Sequence, residues 1–135
     1  MSVTGQVTTY QGGIWQAAHR IDPDALTGVS CVTAHFCAAV DASKRVLTYT
    51  ESAGVPHWSR PRVIDAYRLT GVSCTSSGSC LASDDQGGTV AYVNGAWTAA
   101  SQDVPLAGDV ASVSCAGAGT CAVINPTEGA VGVAG

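Results

Sequence analysis

"LTGVSCVTAHFCAAVD" runs from Leu26 to Asp41, and "LTGVSCTSSGSCLASD" runs from Leu69 to Asp84. A diverged third copy, "VASVSCAGAGTCAVIN", runs from Val110 to Asn125. Each copy holds two cysteines with five residues between them. Cys31, Cys74 and Cys115 recur at steps of 43 and 41 residues, and Trp15, Trp58 and Trp97 at steps of 43 and 39. Tyr10, Tyr49 and Tyr92 stand just ahead of the three tryptophans. A period near forty residues means one supersecondary unit used repeatedly, each unit burying its apolar face against the next.

Working outward from the quoted stretch, each unit contains four short β-branched runs bounded by Gly, Pro, Asn and Asp, which reads as all-β. The first run is "GVSC" (Gly28–Cys31 and Gly71–Cys74), or "SVSC" (Ser112–Cys115). The second starts at the second cysteine: "CAAVD", "CLASD", "CAVIN". The third is "RVLTYT" (Arg45–Thr50), "TVAYV" (Thr89–Val93) or "AVGVA" (Ala130–Ala134). The fourth starts at the tryptophan: "WQAAHRI", "WSRPRVI", "WTAASQDV". Asn94-Gly95 between the third and fourth runs predicts a type I′ hairpin turn, because both residues tolerate positive φ. Pro61 places the fourth strand at an edge, and Pro23 suits a connection, since proline cannot donate to a ladder.

Four antiparallel strands per unit make a β-propeller blade. The chain resembles the actinobacterial propeller-like repeats that read W-S-x-P, I-D, L-x-x-V-S-C, F-C-x-A-V-D, then Gly, Tyr, Gly and Trp. The likeness covers almost the whole chain and departs in the third copy, where Asn125 replaces the aspartate of Asp41 and Asp84. It implies a fold and no specific activity. A β-trefoil is the alternative, having three units of similar length in one closed monomer.

A five-residue loop between antiparallel strands sets its flanking residues opposite each other, within disulfide reach. The expected bridges are Cys31–Cys37, Cys74–Cys80 and Cys115–Cys121, each contributing ~2 kcal/mol by loop entropy. Free buried thiols and a metal site are the competing readings. Zinc prefers closer cysteine pairs that converge, whereas these are held apart by the blade spacing. Disulfides imply an oxidising compartment and so favour secretion. The start, "MSVTGQVTTYQGG", shows no signal-peptide pattern.

The chain reads as one domain, 1–135, with units near 26–65, 69–104 and 110–135, the last completed by 5–21. Three blades are too few for a ring, since closed propellers typically have four to eight. Strand exchange between two copies closes six blades, which predicts a C2 homodimer with pseudo-sixfold symmetry. A fragment of a longer array is the competing reading.

Ten acidic residues against six Lys and Arg give a net charge of −4, with no basic run. That excludes a nucleic-acid backbone binder. No stretch approaches eighteen apolar residues, so no membrane-spanning helix is expected. Catalytic patterns are thin. His19, His35 and His57 occupy non-equivalent positions, and the repeated serines lack a nucleophile elbow. No phosphate loop or EF-hand pattern occurs, and no cofactor is expected.

The sequence therefore favours a non-enzymatic binding or interaction module. A multivalent, lectin-like carbohydrate binder is the alternative, and a hydrolase or other enzyme on the propeller face the second. Candidate ligand-binding residues are those that recur: Trp15, Trp58 and Trp97, Tyr10, Tyr49 and Tyr92, with Arg20, Arg62, Asp22 and Asp65 near the blade junctions. Aromatic faces stack on sugars, and Asp and Arg bond hydroxyls; equivalent weak sites gain avidity. The competing structural reading has the tryptophans filling the layer between blades and the two aspartates capping turns. The expected partners are a second copy, and glycans or another protein.

Overall fold

The computed structural model describes residues 5–33, 35–76, 78–99, 112–117, 120–125 and 130–134. The chain opens with β1 (Gly5–Val7), β2 (Tyr10–Gln11), β3 (Ile14–Trp15) and β4 (His19–Asp22), where β1 pairs β4 and β2 pairs β3. The first full blade is β5 (Leu26–Thr33), β6 (Phe36–Asp41), β7 (Arg45–Ser52) and β8 (Val55–Trp58), with β9 (Arg62–Val63) returning to β7. The second is β10 (Leu69–Ser76), β11 (Ser79–Asp84), β12 (Thr89–Val93) and β13 (Ala96–Trp97). The third sheet is β14 (Ser112–Gly117), β15 (Thr120–Asn125) and β16 (Ala130–Ala134). Every pairing is antiparallel, and each sheet of three or more strands is a meander apart from β9, which returns to β7.

These are propeller blades. Each repeat folds into its own sheet, so the trefoil alternative falls. The fourth strand differs from the sequence expectation in one respect. It does not start at the tryptophan but ends there, breaks, and resumes, as in β8 then β9 and in β3 then β4. Pro61 lies in the break and removes a ladder donor. The fourth-strand stretch after Trp97 runs beyond Ala99 and lies outside the described residues, as does Val110. Among the described residues, β1–β4 pair only with one another and not with β16.

The repeated "TGVSC" is explained residue by residue at the blade junctions. Here β5, β10 and β14 lie side by side as innermost strands. A β-carbon on Gly28 would stand 3.0 Å from Gly71 Cα, so the strands approach this closely only because glycine is there. The serine accepts a hydrogen bond from the next blade: Cys74 N–H donates to Ser30 Oγ and Cys115 N–H to Ser73 Oγ, both at 2.9 Å. Thr27 Oγ1 donates to Leu69 O at 2.8 Å. The valine faces the preceding blade. Val72 and Val113 are buried there.

The cysteines close three disulfides, Cys31–Cys37, Cys74–Cys80 and Cys115–Cys121, and none is free. In each copy the two cysteines are directly opposed across the hairpin. Three such bridges fit an oxidising compartment. The main core lies between the first two blades. Phe36, Ala38, Val40 and Val46 meet Leu69, Val72, Cys80 and Ala82, with Tyr92 and Trp97 packed against them. A smaller core of Val113 and Val123 against Leu81 joins the second blade to the third. No helix among the described residues is long and apolar enough to cross a membrane.

Candidate functional site

A surface groove opens at the fourth-strand break. Between the opening hairpin and the outer edge of the first blade lies a cleft of about 620 Å³, within the range of ligand sites. Tyr49 and Trp58 form its aromatic wall, their rings 5.3 Å apart and tilted by 53°. The pair is fixed by register, because Tyr49 on β7 faces Trp58 on β8. Pro56 and Pro61 flank it, while His19, Arg20, His57 and Arg60 supply its polar lining. Among the described residues no aspartate or glutamate lines the groove. Among the described residues neither Arg20 nor Arg60 makes an ion pair; Arg20 Nε reaches only Asp22 O, at 3.4 Å.

The three Tyr–Trp pairs recur with centroid distances of 4.9 to 5.3 Å but in three environments. Tyr92 and Trp97 pack on the core, and Tyr92 stacks on Phe36 of the preceding blade at 6.2 Å. Trp58 is half-buried and borders the groove. Tyr10 and Trp15 stand out on the opening hairpin, 59% and 66% exposed.

Asp22 and Asp65 are buried, at 1% and 7% exposure. Each caps the turn that follows: Asp24 N–H donates to Asp22 Oδ1, and Ala66 and Tyr67 N–H donate to Asp65 Oδ1. Each also meets a second buried carboxyl, Asp41 or Asp84. Burial, and then the neighbouring Asp84 carboxyl, pushes Asp65 up to about 6. Asp22 is likewise pushed up to about 6, by burial first and by Asp41, against the pull of the Asp24 N–H and Arg45. One oxygen of each, Asp22 Oδ2 and Asp65 Oδ2, meets no protein donor. Below about pH 6 a proton on the carboxyl lets it donate to its neighbour and relieves that burial.

Asp22, Asp24 and Asp41 come close enough to hold a metal ion, but Arg45 is already their cation. Its Nε donates to Asp41 Oδ2 at 2.9 Å, and its Nη2 donates to Asp22 Oδ1 at 3.0 Å and to Asp24 Oδ2. Burial acts to lower the Arg45 guanidinium, and the three carboxylates outweigh it, so the group is held more firmly charged than usual.

Of the sequence candidates, the groove brings together Tyr49, Trp58 and Arg20. Tyr92 and Trp97 lie at the blade interface, Tyr10 and Trp15 on the hairpin, and Arg62 is exposed on β9. The sequence reading passed over His19, His57 and Arg60 as lining because they do not recur. Arg45 likewise has no counterpart in the second copy, where Gly88 stands. The repeated serine was the available signal for the inter-blade bond.

No family model matches the chain, and no curated protein does. A solved structure does: "YCF48 bound to D1 peptide", a β-propeller protein, aligns with a TM-score of 0.63 at 20% identity. The alignment covers 78% of this chain and 36% of that one. This chain therefore spans about a third of its solved neighbour, and the likeness carries the propeller fold alone.

Proposed function

We propose that this chain is a non-enzymatic interaction module that holds a peptide segment of a partner protein in the groove between its opening hairpin and its first blade. The observation that carries the reading is the groove itself. It combines an aromatic wall, proline shoulders and two arginines that have no ion-pair partner among the described residues, which is the make-up of a recognition surface. The solved neighbour's bound peptide supports the same class of partner. The buried carboxylate pairs belong to blade packing in this reading. Three disulfides favour a secreted setting. The test is a peptide array probed with the intact, oxidised protein. We expect peptides to bind, and Trp58→Ala to abolish binding while the fold persists. Silence across the array sinks the reading.

Two observations favour further partners. Tyr10 and Trp15 offer exposed rings of the kind that stack on sugars, which supports the lectin-like alternative. A glycan array in which Trp15→Ala loses a signal supports it, and an empty array removes it. Val29 is 59% exposed where its counterparts Val72 and Val113 are 7% exposed, and Ile124 is 45% exposed where Val40 and Ser83 are fully buried. These are the two kinds of face that bury each other inside the chain. They support the homodimer, with the Ile124 face of one copy on the Val29 face of another. A native mass equal to one chain rules the dimer out.

A further inference from the structure

The groove discriminates by charge. We infer that it selects an acidic peptide, one carrying Asp or Glu beside an apolar residue, and this rests on the peptide-binding reading above. The chain as a whole is acidic, with ten Asp and Glu against six Lys and Arg. Two of those six basic residues, Arg20 and Arg60, and two of the three histidines, His19 and His57, nonetheless line this one groove. The acidic residues nearest in sequence to Arg20 are committed elsewhere. Asp22 and Asp24 are both held by Arg45. Among the described residues the guanidinium groups of Arg20 and Arg60 thus have no carboxylate partner, and Arg20 spends only its Nε, on the long bond to Asp22 O.

Arginine meets a carboxylate through parallel charge-assisted bonds, roughly twice as strong as neutral ones. A carboxylate docked here can take the Nη donors without displacing an ion pair among the described residues. Trp58 and Tyr49 beside the arginines provide the apolar contact that an adjacent Leu or Phe side chain fills. A basic peptide meets like charge and loses affinity, which gives the groove rejection as well as attraction. The remaining acidic surface repels the same ligand elsewhere and confines it to this cleft.

The experiment uses the intact oxidised protein and three labelled peptides of one scaffold. In these, a leucine is flanked by glutamates, by glutamines or by lysines. We expect the glutamate peptide to bind at least about tenfold tighter than the glutamine peptide and the lysine peptide not to bind. Affinity falls as salt is raised. Arg20→Glu with Arg60→Glu reverses the ranking. Arg68→Glu, an exposed change outside the groove, leaves it intact, and unchanged melting curves show that the variants fold.

If the glutamine and glutamate peptides bind equally, and Trp58→Ala abolishes both, the peptide reading stands and the acidic preference is overturned. If none binds, both are overturned. Equal loss in Arg68→Glu means diffuse charge rather than this groove and overturns the inference. Capture of an acidic glycan with no acidic peptide bound overturns it as well.

Discussion

The first and second blades share the sequence "LTGVSC" and the same strand order, yet they stand in different surroundings. Leu69 is fully buried between two blades, whereas its counterpart Leu26 is half-buried against the opening hairpin. The carboxylate pair of the second blade, Asp65 and Asp84, has Gly88 four residues after Asp84. The pair of the first has Arg45 at the equivalent position. In both, that residue's backbone N–H donates to the aspartate Oδ1, at 2.7 Å for Gly88 and 2.9 Å for Arg45. Only the first adds a guanidinium. The difference teaches that the repeat specifies a backbone, while neighbours decide what each position is worth.

The largest break in the comparison should come from Leu69→Ala. Truncating a fully buried leucine should cost about 2–5 kcal/mol, read from denaturant melts. Leu26→Ala should cost less than half as much. Equal losses would mean that the opening hairpin covers the first blade as completely as the first covers the second.

Glycine gives the next effect. Gly28→Ala drives a β-carbon to 3.0 Å from Gly71 Cα, a backbone atom that cannot swing aside. A loss of about 1–3 kcal/mol is expected, as for other overpacked sites. At Gly71 the nearest atoms stand at 3.5 Å, an ordinary contact, so Gly71→Ala should be close to neutral. The third copy has Ser112 at this position. Reversal of the order would show that the blade junctions differ from the packing described.

The carboxylate pairs predict unequal consequences from one chemical change. Asp65 titrates at about 6 in the folded chain against 3.8 for an ordinary aspartate. Between those values the folded state holds a proton that the unfolded state has released, so this group makes stability fall as pH rises from about 4 through 6. Below that window the penalty is absent, and above it the penalty is complete. Asp65→Asn keeps an oxygen for the Ala66 and Tyr67 N–H groups and cannot ionise. It should raise stability above pH 6 by on the order of 1–2 kcal/mol and match the parent near pH 4. Asp22→Asn shares the sign of the titration but weakens the bond from Arg45, so its gain should be smaller or negative. Thermal melts from pH 4 to 8 separate the two variants.

Much of this architecture was legible because the repeat exposes it. Equal cysteine offsets placed Cys31 opposite Cys37, and Asn94-Gly95 marked a turn whose φ angles are +51° and +84°. What recurs in one line of sequence could be read. What depends on a partner in another unit could not. Asp22 and Asp41 stand nineteen residues apart, as do Asp65 and Asp84. At the same offset the third copy carries Leu106 and Asn125, losing both carboxyls together. That joint loss was a visible signal of pairing. The groove had no such signal, because His19, His57 and Arg60 sit at positions that the other copies fill differently. Its charge arises from where β4 and the end of β8 come together.

The smallest expected effect lies in the hairpin turns, where the two blades again differ by one residue. The second blade turns at Asn94-Gly95, and the first at Ala53-Gly54, with φ of +53° and +79°. Both turns demand the left-handed region at both positions. Asparagine tolerates it, but the β-carbon of alanine crowds the carbonyl oxygen there. Ala53 is exposed and its side chain contributes no packing to offset that strain. Ala53→Asn should therefore stabilise the chain by about 0.5–1 kcal/mol, and Asn94→Ala should destabilise it by a similar amount, both measured by thermal melts. Paired shifts of opposite sign would tie the difference to backbone conformation. Two shifts of the same sign would instead tie it to the side chain's other contacts, since backbone strain alone must invert when the residues are exchanged.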